Sequence, residues 1–281
     1  MKLIHKFKSP NYNERKTDEI KLIIIHYTAL KSISESIIYL TSKKNKVSTH
    51  YIISKNGQIY NLVSENKRAW HAGKSYWQGK IDINSNSIGI ELDYFPTKIN
   101  NRYNNKLIYS LIKLLKQLIK KYKIKPVNIL GHSDIAPYRK IDPGKNFPWY
   151  LLEEEKISFK IQPLKEKKNI LNFLNKWFKI NKFTSKNRII LFMLNYIGYD
   201  ISLALNNNIH FKQLILIYSN RYKFYRNMKY NKKEIFNIIQ LHFLNILLTN
   251  LKKELKVIDR WCDDRLRNQE ESPGSSGKKT R

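Results

Sequence analysis

The sequence predicts an α/β fold: a mixed central sheet flanked by helices, followed by a small all-α domain. Three observations carry this. Short β-branched apolar runs recur through residues 1–155. A stretch with 3.6-residue periodicity, 104–122, lies between two of them. Beyond residue 155 the strand signals stop, which separates a sheet-forming part from a helical one.

The elements follow in order. "IKLIIIHYTA" (20–29) is apolar on both faces and predicts a buried strand. "SISESIIYLTSK" (32–43) spaces its apolar residues as a helix does. "HYIISKNGQIYNLV" (50–63) alternates on both sides of Asn56-Gly57, the signature of a hairpin turn. "NSIGIEL" (86–92) and "VNILGH" (127–132) predict two more strands. The helix at 104–122 has Asn104 or Asn105 as its cap, and Pro126 closes that region. Residues 163–251 hold three or four helices, with Gly198 a C-cap. Acidic residues there are Glu166, Asp200 and Glu234 against fifteen Lys and Arg. The expected organisation is a domain over 1–155, a helical one over 163–251, and a disordered tail over 252–281.

A chain of 281 residues can bury a sizeable core, and 42% hydrophobic residues exclude a disordered chain. No apolar run is long enough to span a bilayer; the longest, 241–248, is broken by His242 and Asn245. The N-terminus has no apolar h-region, so the expected compartment is the cytoplasm, with the cell envelope as the alternative. A single cysteine, Cys262, excludes an internal disulfide. The net charge of +31 suits an anionic partner, either a nucleic acid or an acidic polymer. Heavy use of Lys, Asn and Ile also fits an AT-rich coding sequence. No RNA-recognition, zinc-finger or helix-turn-helix signature is present, so no nucleic acid is expected.

Several polar residues sit where apolar ones are expected. His26 closes "LIIIH", His132 closes "NILGH", and Asp142 follows ten residues later. Two imidazoles and a carboxylate are a ligand set for catalytic zinc. Singly, each also reads as a hydrogen-bonded structural residue, and Asp142 before Pro143-Gly144 as a turn former. Glu91 lies in the apolar strand "SIGIELD", on the same face as Gly89. It is either a sheet-edge ion pair or a general base whose pKa burial raises. Trp70 and His71 in "RAWHAG" read as a sugar or peptide platform, or as core. Lys140 and Asp142 stand two apart before a rigid turn, on one face of an extended loop.

Taken together, "IIIHYTA", "VSTHYIISKNGQIYNLV", "KRAWHAGKSYWQG", "NSNSIGIEL" and "GHSDIAPYRKIDPGKNFPW" stand in one family's order over about residues 9–150. The chain resembles the zinc-dependent N-acetylmuramoyl-L-alanine amidases of the AmpD and AmiD type. These are relatives of phage lysozyme-type amidases and animal peptidoglycan recognition proteins. The resemblance implies zinc held by His26, His132 and Asp142, with Glu91 as the catalytic carboxylate and Lys140 facing the oxyanion. His50 and His71 are not ligands in that pattern and are expected to line the cleft. The implied substrate is peptidoglycan or a muropeptide, cut between the lactyl group of N-acetylmuramic acid and L-alanine. The helical part resembles a peptidoglycan-binding module. The alternative is a non-catalytic recognition protein; relatives of that kind often lack a zinc ligand, whereas all three stand here.

Overall fold

The computed structural model describes residues 2–17, 19–97, 102–164, 167–183, 185–222 and 233–251. The expected tail over 252–281 lies outside the described residues. The centre is a six-stranded sheet of β1 (Leu3–Ile4), β3 (Leu22–Tyr27), β4 (Tyr51–Ile53), β5 (Ile59–Asn61), β7 (Ser87–Leu92) and β8 (Ile129–Gly131). Their order is β1-β5-β4-β7-β3-β8, and only the β4–β5 pair is antiparallel. A separate ribbon joins β2 (Tyr12–Glu14) to β6 (Lys67–Ala69). The sheet is mixed and flanked by helices, as the sequence predicts. β1, β2 and β6 were not expected. Each has two or three residues, too few for a period of two to register.

β3 and β7 are buried on both faces, and each face belongs to a different core. Ile23, Ile25, Ile88 and Ile90 pack with α2 (Asn105–Tyr122). That helix buries Leu107, Leu111, Leu114 and Leu118 along one stripe. The Asn104 side chain caps it by accepting from the Lys106 N–H. The hairpin tip rests on the same helix. Gly57 has φ +86°, and a Cβ there would stand 2.7 Å from Ser110 Oγ and 2.9 Å from the Lys106 carbonyl. Only glycine meets both demands.

The opposite face, with Leu22, Ile24 and Leu130, is covered by the helical half. That half comprises α5 (Lys167–Ile180), α6 (Lys186–Ile197), α7 (Asn208–Arg221) and α8 (233–251). Two short helices, α3 (His132–Ile135) and α4 (Trp149–Glu154), precede it, and α1 (Ile33–Thr41) lies beside β4 and β5. Gly198 ends α6, as expected, and its carbonyl accepts from the Gln78 N–H at 3.0 Å. Leu191, Leu194, Leu214 and Phe243 share one apolar cluster with Ile24 and Leu130. The described residues of these helices therefore share a core with one face of the sheet.

Candidate metal centre and active site

Parallel strands end together, and ligands bind at their carboxyl ends. β3 ends on His26-Tyr27, β7 on Glu91-Leu92, and β8 leads directly into His132. His26 and Glu91 are partners in the β3–β7 register, so their side chains stand on the same face. Asp142 arrives from the loop after α3. The Ser133 N–H donates to its carbonyl at 2.8 Å, which ties that loop to the end of β8.

Three donor atoms converge here. His26 Nδ1 is 2.9 Å from His132 Nδ1. Asp142 Oδ2 is 3.1 Å from His132 Nδ1 and 3.3 Å from His26 Nδ1. Among the described residues this is the one group of three such side chains able to hold a metal ion. A metal about 2.0–2.1 Å from each tetrahedral ligand sets ligand atoms about 3.3 Å apart, which this triangle approaches.

The hydrogen bonds around the triangle decide where its protons are. His132 Nε2 is 3.0 Å from the Ala72 carbonyl, so that nitrogen carries the proton and donates. Its Nδ1 is a bare lone pair. Ser87 Oγ donates to the Ile83 carbonyl at 2.6 Å and has no second proton. It must therefore accept from His71 Nε2 at 3.1 Å. That leaves His71 Nδ1 to accept from His26 Nε2 at 3.0 Å. His26 Nδ1 is then also a lone pair. Two imidazole lone pairs and a carboxylate oxygen thus face one another with no proton between them. Such an arrangement repels itself unless a cation sits at its centre. The donor set fits a metal.

Electrostatics agree. Burial, then the neighbouring His132, lowers the pKa of His26 to about 4, so it is neutral and able to ligate. Glu91 is pushed the other way. Burial, then the charge of Asp142, raises it to about 8 against the opposing pull of Lys140. Its Oε2 has no hydrogen-bond partner among the described residues.

The donors open into a cleft of about 370 Å³ lined by Trp70, Glu91, Lys140 and Asp142 among others. Trp70 is held by its indole N–H to Asn13 Oδ1 at 2.6 Å. His71 touches the cleft and is 8% exposed, locked between His26 and Ser87. His50 lies deeper, fully buried; its Nδ1 accepts from the Gly89 N–H, and its Nε2 meets the Lys67 carbonyl. It does not line the cleft. Arg139, which nothing in the sequence singled out, does: its guanidinium donates to the Ala72 carbonyl at 2.8 Å, beside His132 Nε2. Its one sequence signal is a place beside Lys140.

Residues 16–145 match the family model described as N-acetylmuramoyl-L-alanine amidase. Over 161 residues the chain is 34% identical to the 1,6-anhydro-N-acetylmuramyl-L-alanine amidase AmpD of Haemophilus influenzae, covering 50% of this chain and 86% of that one. The chain belongs to the N-acetylmuramoyl-L-alanine amidase family. It is also 42% identical over 151 residues to the N-acetylmuramoyl-L-alanine amidase AmiD of Escherichia coli, 49% of this chain and 54% of that protein. The chain thus spans about half the length of several curated relatives it matches. The amidase fold extends further than the family match. A solved complex of Escherichia coli AmiD with anhydro-N-acetylmuramic acid-L-Ala-D-gamma-Glu-L-Lys aligns with a TM-score of 0.64 at 29% identity, over 83% of this chain and 93% of that one. Coverage of that size takes in the helical half. No helix among the described residues is long and apolar enough to cross a membrane.

Proposed function

We propose that this chain is a zinc-dependent N-acetylmuramoyl-L-alanine amidase. It cleaves the amide between the lactyl group of N-acetylmuramic acid and L-alanine of the stem peptide, including in 1,6-anhydro muropeptides. The observation that carries this is the triangle of two imidazole lone pairs and a carboxylate oxygen, with Glu91 in register beside His26. The anhydro-muropeptide in the AmiD complex supports the substrate class.

Each residue then has a role. His26, His132 and Asp142 hold the zinc. When bound, zinc lowers the pKa of a coordinated water to about 7 and polarises a carbonyl. Glu91 accepts the proton of the attacking water and passes it to the leaving amine. Burial raises its pKa toward neutrality in the metal-free chain, and a carboxyl group near neutrality can both take and give a proton. Lys140 supplies positive charge to the tetrahedral oxyanion from the same cleft wall as Asp142. Trp70 offers an apolar face to sugar or peptide.

The helical half is proposed to add glycan contacts, supported by Trp177, an aromatic 37% exposed on α5. The sequence also offers Tyr222 and Tyr225 as aromatics for that role; Tyr222 is buried against Arg221, and Tyr225 lies outside the described residues. The reading is tested by incubating the zinc-loaded chain with anhydro-muropeptide and with sacculi. The expected products are free stem peptide beginning with L-alanine and peptide-free sugar, by mass spectrometry. Stoichiometric zinc without cleavage of either substrate would overturn it.

A further inference from the structure

We infer that Arg221, at the end of α7 in the helical half, is a positioning residue for the metal centre, through Asp134. The inference rests on the metal reading above. Asp134 lies two residues after His132 and is 1% exposed. Its carboxylate accepts three donors. The Gly131 N–H reaches Oδ2 at 2.7 Å, the Arg221 guanidinium reaches Oδ2 at 2.5 Å, and the Tyr199 hydroxyl reaches Oδ1 at 2.8 Å. Two of the three come from the helical half, across 65 and 87 residues of sequence.

The second arm of Arg221 makes the link directional. Its Nη2 donates to the Ile129 carbonyl at 2.6 Å, at the start of β8. One guanidinium therefore grips the chain on both sides of His132, at 129 and at 134. The fork geometry of arginine suits this two-point grip, and a lysine could not reproduce it. The guanidinium is itself fixed, lying 3.9 Å over the Trp149 ring. Gly131 leaves no slack: a Cβ there would stand 2.6 Å from Pro143 Cδ, next to Asp142. The β8 end, His132 and the Asp142 loop are thus packed as one block, with Arg221 and Asp134 as its buried brace. Metal affinity responds to supports behind the ligands, commonly by 10–100-fold when one is removed.

The amidase-like half accordingly depends on the helical half for the geometry of its ligands. The test uses the full chain. Zinc affinity of the folded protein is measured by chelator competition, well below its melting temperature, for wild type, Arg221→Met, Arg221→Lys and Tyr199→Phe. Phe178→Leu, in the aromatic cluster of α5, serves as a control that loosens the same core without touching Asp134. Arg221→Met is expected to bind zinc about tenfold or more weakly, with Tyr199→Phe smaller in the same direction. Arg221→Lys should recover only part of the loss. Phe178→Leu should lower the melting temperature and leave zinc affinity unchanged. Unaltered zinc affinity in Arg221→Met, or an equal loss in Phe178→Leu, would overturn the inference while leaving the metal reading in place. A wild-type chain that binds no zinc would overturn both.

Discussion

Replacing His71 with leucine removes the acceptor that holds the His26 tautomer, and the consequence can be sized. In the wild type, His26 Nε2 donates to His71 Nδ1 at 3.0 Å, and His71 is anchored in turn on Ser87. Both imidazoles are buried. Losing the bond costs about 0.5–1.5 kcal/mol net, and an orphaned buried N–H adds about 1–3 kcal/mol. The neutral ring then gains by moving its proton to Nδ1, where Asp142 Oδ2 is 3.3 Å away. That proton occupies the lone pair a metal needs. At about 1.4 kcal/mol per decade, zinc binding should weaken about 10–100-fold, in line with other supports of ligating histidines. Chelator competition on the folded variant reads the affinity, and nitrogen-15 NMR of the histidine rings reads the tautomer of His26. His71→Gln, whose amide oxygen can accept the same proton, should restore part of the affinity. Wild-type zinc affinity in His71→Leu, with the His26 proton still on Nε2, would refute the proton chain that runs from Ser87 through His71 to His26.

Other outcomes follow from the same geometry. Glu91→Gln should retain zinc and lose about 10²–10⁴ in kcat; full activity would mean that another group moves the proton. The folded pKa of Glu91 is raised, so wild type binds its proton up to about pH 8 while the unfolded chain releases it near 4.5. Relative to Glu91→Gln, the metal-free wild type should therefore lose stability as pH rises through that window; a difference between the two that does not change with pH would contradict the burial argument. Lys140→Ala should lower kcat about 10²–10³-fold with little change in zinc content, as read by steady-state kinetics and metal analysis. Gly89→Ala would place a Cβ 2.4 Å from the His71 ring. It should weaken zinc binding as His71→Leu does, and normal affinity would show that the ring has room to move.

The strands were legible because apolar runs such as Leu22–Ile25 and Ile88–Leu92 report burial by composition alone. The helix over 105–122 was legible because its leucines repeat on one stripe. Both are short-range properties of the chain. The candidate ligands were legible for a related reason. His26, Glu91 and His132 are polar residues at the ends of apolar strands, where an uncompensated polar group is expensive. His71 and His50 do not close apolar strands and carried no such mark; in the structure His71 touches the cleft and His50 lies buried against the Gly89 N–H. The helical half looked separable because its composition changes near residue 155. Its packing on Ile24 and Leu130 could not be read from that change.

The sequence by itself determined which elements form, which of their faces are apolar, and which few residues break that pattern at strand ends. Tertiary structure alone decided that His26 and His132, 106 residues apart, bring Nδ1 rather than Nε2 together. It also set the direction of every proton behind them, from Ser87 through His71 to His26, and it brought Arg221 to Asp134. The physical reason is that periodicity records only how each residue partitions between water and core. A proton's position on an imidazole, or the partner of a buried carboxylate, depends on which donors and acceptors lie within about 3 Å, and distant segments supply those only once they pack.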